Sequence, residues 1–351
     1  MIISTLKLTN FRSYKKSSFS FSVITIIVGP NTIGKTNILE AIHFLSIGKS
    51  FRAEKDVDTI SLLADFSRID AQILDDLEKI ELALLLVKRP TGFSKRFLIN
   101  GIGKRQAEFK TYLPTVLFAP SDLEVISGSP SLRRRYINSI LFQASSEYRR
   151  AFSIFEKALK QRNRLLHAIK TGTKSYSPKE FEYWEDLLTT NARTITDTRM
   201  AYIEYLNSAS KKVFQFQAQY DKSEFTKARA EKYHDAEVAT GMTLIGPQRD
   251  DFLFFYKENL PISEYGSRGE QRLTILQLKL LEIEYLKITL EKNPVLLLDD
   301  IYSELDAQNI ALVTSLLPHQ QTIITTTHLE QIPKKIIKTA LIINLEDQVK
   351  S

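Results

Sequence analysis

Apolar positions along the chain change texture three times. Residues 2–9 and 18–28 read as two strands around a turn at Arg12-Ser13-Tyr14. The second ends in the apolar run Val23-Ile24-Thr25-Ile26-Ile27-Val28, the pattern of a strand covered on both faces in a parallel sheet. A helical pattern follows through Asn37-Ile38-Leu39-Glu40-Ala41-Ile42. From about 66 to 118 the runs shorten into β segments, with turns at Arg89-Pro90-Thr91-Gly92 and Asn100-Gly101.

Between about 130 and 235 long stretches lack Gly and Pro and carry helical spacing, as in Phe152, Phe155 and Leu159. A polar break at Thr171-Gly172-Thr173-Lys174-Ser175 splits this stretch into an antiparallel helical hairpin or small bundle. Phe181, Tyr183 and Trp184 are assigned to its core. After about 240 the α/β texture returns: a helix over Leu273 to Leu290, a strand at Val295–Leu298, a helix near 307–316, and strands at Thr322–Thr325 and Ala340–Ile343. The expected fold is therefore α/β, one head interrupted by an inserted, mainly helical arm. Residues 1–128 form the first part of the head, 129–238 the arm and 239–351 the second part.

Bulk properties narrow the class. With 43% apolar and 25% charged residues the chain reads as an ordinary globular protein. Zero cysteines exclude disulfides, thiolate zinc sites and cysteine nucleophiles, and fit a reducing cytoplasm. The start Met1-Ile2-Ile3-Ser4 carries no secretion pattern, and runs such as Val295–Leu298 are far short of the ~20 residues of a membrane span. A cytoplasmic location is expected. The net charge of +7 suits a polyanionic partner.

Chemistry concentrates in a few short segments. Gly29-Pro30-Asn31-Thr32-Ile33-Gly34-Lys35-Thr36 matches the P-loop pattern and sits between an apolar strand and a helix, the context that pattern needs. Its glycines let backbone N–H groups surround phosphates, the helix start adds a positive dipole end, and Lys35 reaches the outer phosphates of ATP. Thr36 is a Mg²⁺ ligand candidate, and Asn37 follows at once. The strand Val295-Leu296-Leu297-Leu298 ends in two carboxylates: Asp299 is expected to hold Mg²⁺ and Asp300 to polarise the attacking water. His328, after Thr325-Thr326-Thr327, stands where a γ-phosphate sensor is expected. Ser267-Arg268-Gly269-Glu270-Gln271 opens the long apolar helix, with Ser267 able to cap it and its N-terminus able to meet a phosphate.

Together these segments resemble the ABC-type ATPase heads of chromosome-maintenance and DNA-repair proteins, and within them the RecF family of recombination mediators. The resemblance runs over nearly the whole chain. It is carried by Leu8-Thr9-Asn10-Phe11-Arg12-Ser13-Tyr14, the P-loop with Asn37, and Gly48-Lys49-Ser50-Phe51-Arg52. Phe118-Ala119-Pro120-Ser121-Asp122-Leu123 and Gly128-Ser129-Pro130 with Arg133-Arg134-Arg135 continue it. Gly246-Pro247-Gln248-Arg249-Asp250-Asp251, Ser267–Arg272, Leu298-Asp299-Asp300 and Ser303-Glu304-Leu305-Asp306 complete it. It implies an ATP-dependent homodimer in which one copy's Ser267 and Gly269 contact the γ-phosphate held by the other copy, with Asp306 coupling the two sites. It also implies binding to single-strand DNA and its junctions with duplex, and action with RecO and RecR to load RecA. The chain departs from the pattern in three places: Gln248 replaces a histidine, the Ala119–Asp122 loop lacks the glutamine that many heads use near the metal and offers Asp122 as its substitute, and Asp300 replaces a glutamate. The shorter reach of Asp300 suits slow hydrolysis.

Charge adds one feature. From Arg133 to Lys170 ten Lys/Arg face two acids, against 48 and 41 over the whole chain. Arg149, Arg150, Lys157, Lys160, Arg162 and Arg164 are the candidate phosphate-backbone contacts, while Arg133–Arg135 are alternatively packed against the head. A transporter subunit would share the nucleotide chemistry but not this arm or strip. A Rad50-like tether needs heptad arms longer than the insertion allows.

Overall fold

The computed structural model describes residues 1–75, 78–109, 112–257, 259–303 and 307–349. The chain divides into two compact units, residues 1–122 with 282–351, and residues 123–281.

The first unit is built from two sheets and a helix. Strands β1 (Ile2–Phe11), β2 (Tyr14–Ser20), β4 (Phe66–Asp75), β5 (Glu78–Arg89), β6 (Gly92–Ile99) and β7 (Ile102–Lys104) form an antiparallel sheet in the order β2-β1-β4-β5-β6-β7. Strands β3 (Ile24–Val28), β8 (Thr115–Phe118), β12 (Val295–Asp299), β13 (Thr322–Thr326) and β14 (Leu341–Asn344) form a parallel sheet in the order β14-β3-β13-β12-β8. Helix α1 (Lys35–Ile47) touches β1, β4 and β5 of one sheet and β8, β12 and β13 of the other. That placement explains why its sequence is apolar almost all round, since a helix covered on both sides has no solvent face to mark with charge. The segment 18–28, read from its pattern as one strand, is two: Ser22 donates through Oγ to the Ile24 carbonyl and through N–H to Thr25 Oγ1, and this local turn sends β2 and β3 into different sheets. The Asn100-Gly101 turn between β6 and β7 has φ of 50° and 77°, the left-handed pair a two-residue hairpin requires.

The second unit holds helices α2 (Pro130–Ala144), α3 (Ser146–Lys170), α4 (Pro178–Ser208) and α5 (Lys227–Thr240). It also holds an antiparallel sheet in the order β11-β10-β9, from β9 (Gln217–Asp221), β10 (Asp251–Tyr256) and β11 (Leu260–Pro261). Helix α6 (Arg268–Leu290) starts in this unit and runs on toward β12. The unit is thus larger than the arm expected over 129–238, and β9 lies in a stretch whose pattern had read as helix. Phe181 is buried as expected, but Tyr183 is 60% exposed, because α4 turns that side to solvent.

One buried arginine organises this unit. Arg199 on α4 donates from Nη1 to Asp250 Oδ2 (2.6 Å) and to the Pro247 carbonyl (2.8 Å). Its Nη2 reaches Asn138 Oδ1 on α2 (2.9 Å), and its Nε reaches the Tyr148 hydroxyl on α3 (3.0 Å). Asp250 also accepts from the Tyr220 hydroxyl on β9 and from the Ser223 N–H. Burial pushes the Asp250 carboxyl up from its ordinary range, and the Arg199 charge opposes that push.

Removing one member of a buried pair leaves a bare charge in a dry interior, at a cost of about 3–5 kcal/mol. Arg199→Leu should therefore lower unfolding free energy by about that amount in urea denaturation, and Arg199→Leu/Asp250→Leu should recover part of it. Equal stability of Arg199→Leu and wild type would contradict the role given to the hub.

Candidate functional site

Because β3, β13 and β12 are adjacent and parallel, their carboxyl ends open on one edge of the sheet, where such folds bind ligands. Residues 29–34 connect β3 to α1 along that edge. Gly34 has φ +114°, and a Cβ there would lie 2.8 Å from the Tyr14 hydroxyl, so only glycine closes the loop. Tyr14 in turn donates to the Gly34 carbonyl (3.2 Å). Lys35 Nζ folds back to donate to the carbonyls of Gly29 (2.7 Å) and Pro30 (3.0 Å). Burial lowers the Lys35 pKa, and the charges of Asp300 and Asp299 resist the shift. A buried ammonium resting on two carbonyls, at the start of a helix with free N–H groups, is chemically suited to phosphate oxygens.

The acidic edge completes it. Asp299 Oδ1 accepts from Thr36 Oγ1 (2.9 Å) and from Thr325 Oγ1 (2.7 Å). Burial raises the Asp299 pKa, while those two hydroxyls and Arg52 work against the rise. Asp300 sits in the left-handed region at φ +51°, held by its N–H donating to Thr325 Oγ1 (3.1 Å) and to the Thr325 carbonyl (3.2 Å). Its Oδ1 is buried and, among the described residues, has no hydrogen-bond partner. A non-glycine residue in that strained conformation, with an unsatisfied carboxylate oxygen, is poised for something outside the protein's own hydrogen-bond network. His328 is exposed just past β13, its backbone tied to Thr326 Oγ1 (3.1 Å). Asp306 lies outside the described residues.

Sequence reasoning missed a hub beside the loop. Glu40, fully buried on α1, accepts from Arg12 Nε (2.9 Å) and Nη2 (2.6 Å) and from Ser50 Oγ (2.5 Å). Arg52 stands 3.9 Å from the same carboxylate and donates to Asn37 Oδ1 (3.0 Å). Asn37 in turn donates to Ser13 Oγ (3.0 Å). The signal was a lone acid inside the apolar run Ile38-Leu39-Glu40-Ala41-Ile42, since a carboxylate placed there needs a cation. The hub binds the Arg12 turn and the Ser50–Arg52 segment to the phosphate helix.

At the start of α6, Ser267 and Glu270 form a reciprocal cap. Ser267 N–H and Oγ both donate to Glu270 Oε2 (2.9 Å each), and the Glu270 N–H donates to Ser267 Oγ (3.3 Å). Lys257 adds a 3.0 Å ion pair to Glu270. Gln271 is buried and donates to the carbonyls of Ile262 (3.3 Å) and Gly266 (3.2 Å), so it anchors the segment from within. Ser267, Arg268 and Gly269 are exposed. A Cβ on Gly269 would meet nothing nearer than Ser267 Oγ at 4.0 Å, so this chain's own packing does not require the glycine.

The basic strip needs correction at two positions. Arg162 is fully buried, paired with Glu237 (2.7 Å) and Glu185 (3.0 Å) and donating to Thr243 Oγ1 (2.9 Å). Arg149 is buried and donates to the carbonyls of Phe142 (2.5 Å) and Gln143 (3.2 Å). Both hold the helices together, because burying an arginine demands partners of this kind, and neither presents its charge outward. Arg150, Lys157, Lys160 and Arg164 are exposed on α3 at spacings of seven, three and four, which puts them on one side of the helix. Arg133 makes a bidentate pair with Asp251 (2.7 and 2.9 Å) and Arg134 donates to the Asp250 carbonyl (2.6 Å), both within the second unit. Asp122 Oδ2 accepts the Ala119 N–H (2.8 Å), and Gln248 Nε2 donates to the Ile245 carbonyl (2.6 Å), so each closes its own loop.

Known proteins resemble this chain over nearly its whole length. The family model for the RecF/RecN/SMC N terminal domain matches residues 2–351. DNA replication and repair protein RecF of Halalkalibacterium halodurans is 33% identical, over 99% of this chain and 98% of its own. The protein of that name from Bacillus pumilus is 31% identical over 97% of each. A solved structure described as the recombination mediator protein RecF-ATP in the RecFOR pathway superposes with a TM-score of 0.85 at 27% identity, covering 94% of this chain and 93% of that one. Its RecF-ATPrS counterpart gives 0.84 at 27%, covering 95% and 94%.

The Ser267–Glu270 cap makes a pH prediction. Hydrogen bonds from the Ser267 backbone, Lys257 and the Ser267 hydroxyl pull the Glu270 carboxyl down from 4.5 to about 2. A carboxyl depressed in the folded state stabilises above its unfolded pKa and loses that contribution as pH falls through the folded one. The stability gap between wild type and Glu270→Gln, read by thermal melting, should therefore narrow as pH drops from 4.5 toward about 2. A gap that ignores pH would contradict the cap.

Proposed function

The chain belongs to the RecF/RecN/SMC N-terminal-domain family, on its RecF side, and from that membership we propose an ATP-dependent DNA-binding switch acting in DNA replication and recombinational repair. Two copies close head to tail on ATP, and hydrolysis reopens them. The observation that carries the reading is a division of chemistry between the two units. Lys35, Thr36, Asp299 and Asp300 gather at one sheet edge, while Ser267 and Gly269 stand exposed at a capped helix start with open space over the glycine. A glycine that its own chain does not need makes sense where an outside group approaches the backbone closely.

On this reading each residue has a defined task. The loop Gly29–Thr36 wraps the phosphates with backbone N–H groups, and Lys35 exchanges its carbonyl partners for the outer phosphate oxygens. Thr36 and Asp299, hard oxygen donors already 2.9 Å apart, fit a Mg²⁺ ion, which would neutralise phosphate charge. Among the described residues no cluster of three or more metal-ligating side chains exists, so water and phosphate oxygens would complete that shell. Asp300 turns its unpaired Oδ1 to the attacking water and takes its proton, and His328 senses the γ-phosphate. The partner's helix start supplies Ser267 and Gly269 to that same phosphate, and Asp306 links the two sites.

Arg150, Lys157, Lys160 and Arg164 span about 21 Å of helix and suit backbone contact with DNA, including single strands and their junctions with duplex. The solved relatives are described as acting in the RecFOR pathway, and we assign RecO and RecR to this chain as direct partners, with RecA met indirectly as the family resemblance implies. Among the described residues no helix is long and apolar enough to cross a membrane.

Lys35→Arg should cut ATP hydrolysis by roughly a hundredfold or more, since a planar guanidinium cannot occupy the ammonium's place between two carbonyls and a phosphate. Ser267→Arg should leave nucleotide binding intact and abolish the ATP-induced dimer in sedimentation. Wild-type dimers equally abundant with and without ATP would sink the sandwich.

A further inference from the structure

The turn from Gly246 to Asp251 is more constrained than a connection between α5 and β10 needs to be. Gly246 has φ +114° and ψ 171°, a region open essentially to glycine alone, and a Cβ there would lie 2.7 Å from Gln248 Oε1. Asp250 is locked by Arg199, Tyr220 and Ser223, and Asp251 by the bidentate Arg133. The Pro247 carbonyl is taken by Arg199, and the Asp250 carbonyl by Arg134. Gln248 donates to the Ile245 carbonyl and keeps its Oε1 buried, so the one residue of the turn that faces outward is Arg249. Arg249 is exposed, and among the described residues its hydrogen bonds go to the Thr243 carbonyl (3.2 Å) and Met242 Sδ (3.5 Å).

The charges do not balance at this place. Four guanidiniums, of Arg133, Arg134, Arg199 and Arg249, surround two carboxylates, Asp250 and Asp251. Arg133 and Arg199 use up both carboxylates, and among the described residues Arg134 and Arg249 have no ion pair. Burial lowers the Arg134 pKa, and the neighbouring charges of Arg199 and Arg249 lower it further while Asp251 and Asp250 oppose. One arginine on the turn and a second hydrogen-bonded to it, neither with an ion-pair partner among the described residues, suit an anion, and planar guanidiniums suit phosphate.

We propose that Arg249 and Arg134 form a phosphate-binding corner that grips the nucleic-acid backbone beside the basic face of α3. The choice of nucleic acid rests on the DNA-binding reading above and on location. Thr243, whose carbonyl receives Arg249, donates through N–H (2.8 Å) and Oγ1 (2.7 Å) to Asn163 Oδ1, next in sequence to the exposed Arg164. The turn that carries Arg249 is thus hydrogen-bonded, through Thr243, to the helix that carries the Arg150–Arg164 row. Sequence-independent contact is what such a site delivers, because it reads phosphates and no base edge.

The test uses the full chain, ATP-loaded, binding a gapped duplex in fluorescence anisotropy over a range of salt. Arg249→Ala should weaken binding about tenfold near 0.1 M salt and reduce the log–log salt slope by about one. Arg249→Glu should weaken it more, and Gly246→Ala should reproduce part of the loss by displacing the turn. Nucleotide-induced dimerisation and thermal stability of Arg249→Ala should match wild type. Unchanged affinity and slope in Arg249→Glu, with wild type binding DNA, overturn the corner alone. A weaker affinity with the wild-type slope also overturns it, since a lost phosphate contact must change the slope. Wild type that binds no DNA with any nucleotide overturns both the corner and the functional reading.

Discussion

Asp299 Oδ1 accepts hydrogen bonds from Thr36 and Thr325, and through that one oxygen three distant stretches of chain meet. Thr36 opens α1, Asp299 ends β12 and Thr325 lies near the end of β13, with 263 residues separating the first pair. The parallel sheet makes this possible, because parallel strands bring all their carboxyl ends to one edge. It also explains how a large insertion is tolerated. Residues of β8 pair directly with β12, so the chain leaves the sheet after Phe118 and returns to the neighbouring strand. A parallel crossover needs a long connection in any case, and the second unit occupies it.

Buried charge is used the same way in both units, as a clamp between elements that sequence separates. Glu40 fastens the Arg12 turn and the Ser50 segment to α1, and the Arg199–Asp250 pair fastens three helices and, through Tyr220, a strand to the Gly246–Asp251 turn. Neither cluster argues for high stability, because desolvation consumes much of what the ion pairs return. Each fixes a geometry instead: one holds the segments beside the Gly29–Gly34 loop and α1, and the other leaves Arg249 exposed.

The head was legible because its signals are local. A P-loop between an apolar strand and a helix, a strand ending in paired acids, and an Asn-Gly hairpin each follow from residues close in sequence. Two things were not legible because burial is set by tertiary packing, and a third for a separate, local reason. Arg149 and Arg162 look like their exposed neighbours Arg150 and Arg164 until the helix is docked, when one side of α3 turns inward. Tyr183 follows buried Phe181 by two positions on a helix, which places it on another side. The break between β2 and β3 depends on hydroxyl bonds of Ser22 and Thr25, which no apolar pattern records.

The central claim is that each nucleotide site is half of a composite, and mixing two inactive variants tests it directly. A chain carrying Lys35→Ala keeps a sound helix start at Ser267, and a chain carrying Ser267→Arg keeps a sound P-loop. If the site is shared between copies, each variant alone hydrolyses no ATP, while the mixture recovers activity from the single intact site of the mixed dimer. A mixture that stays as inactive as its components would contradict the account.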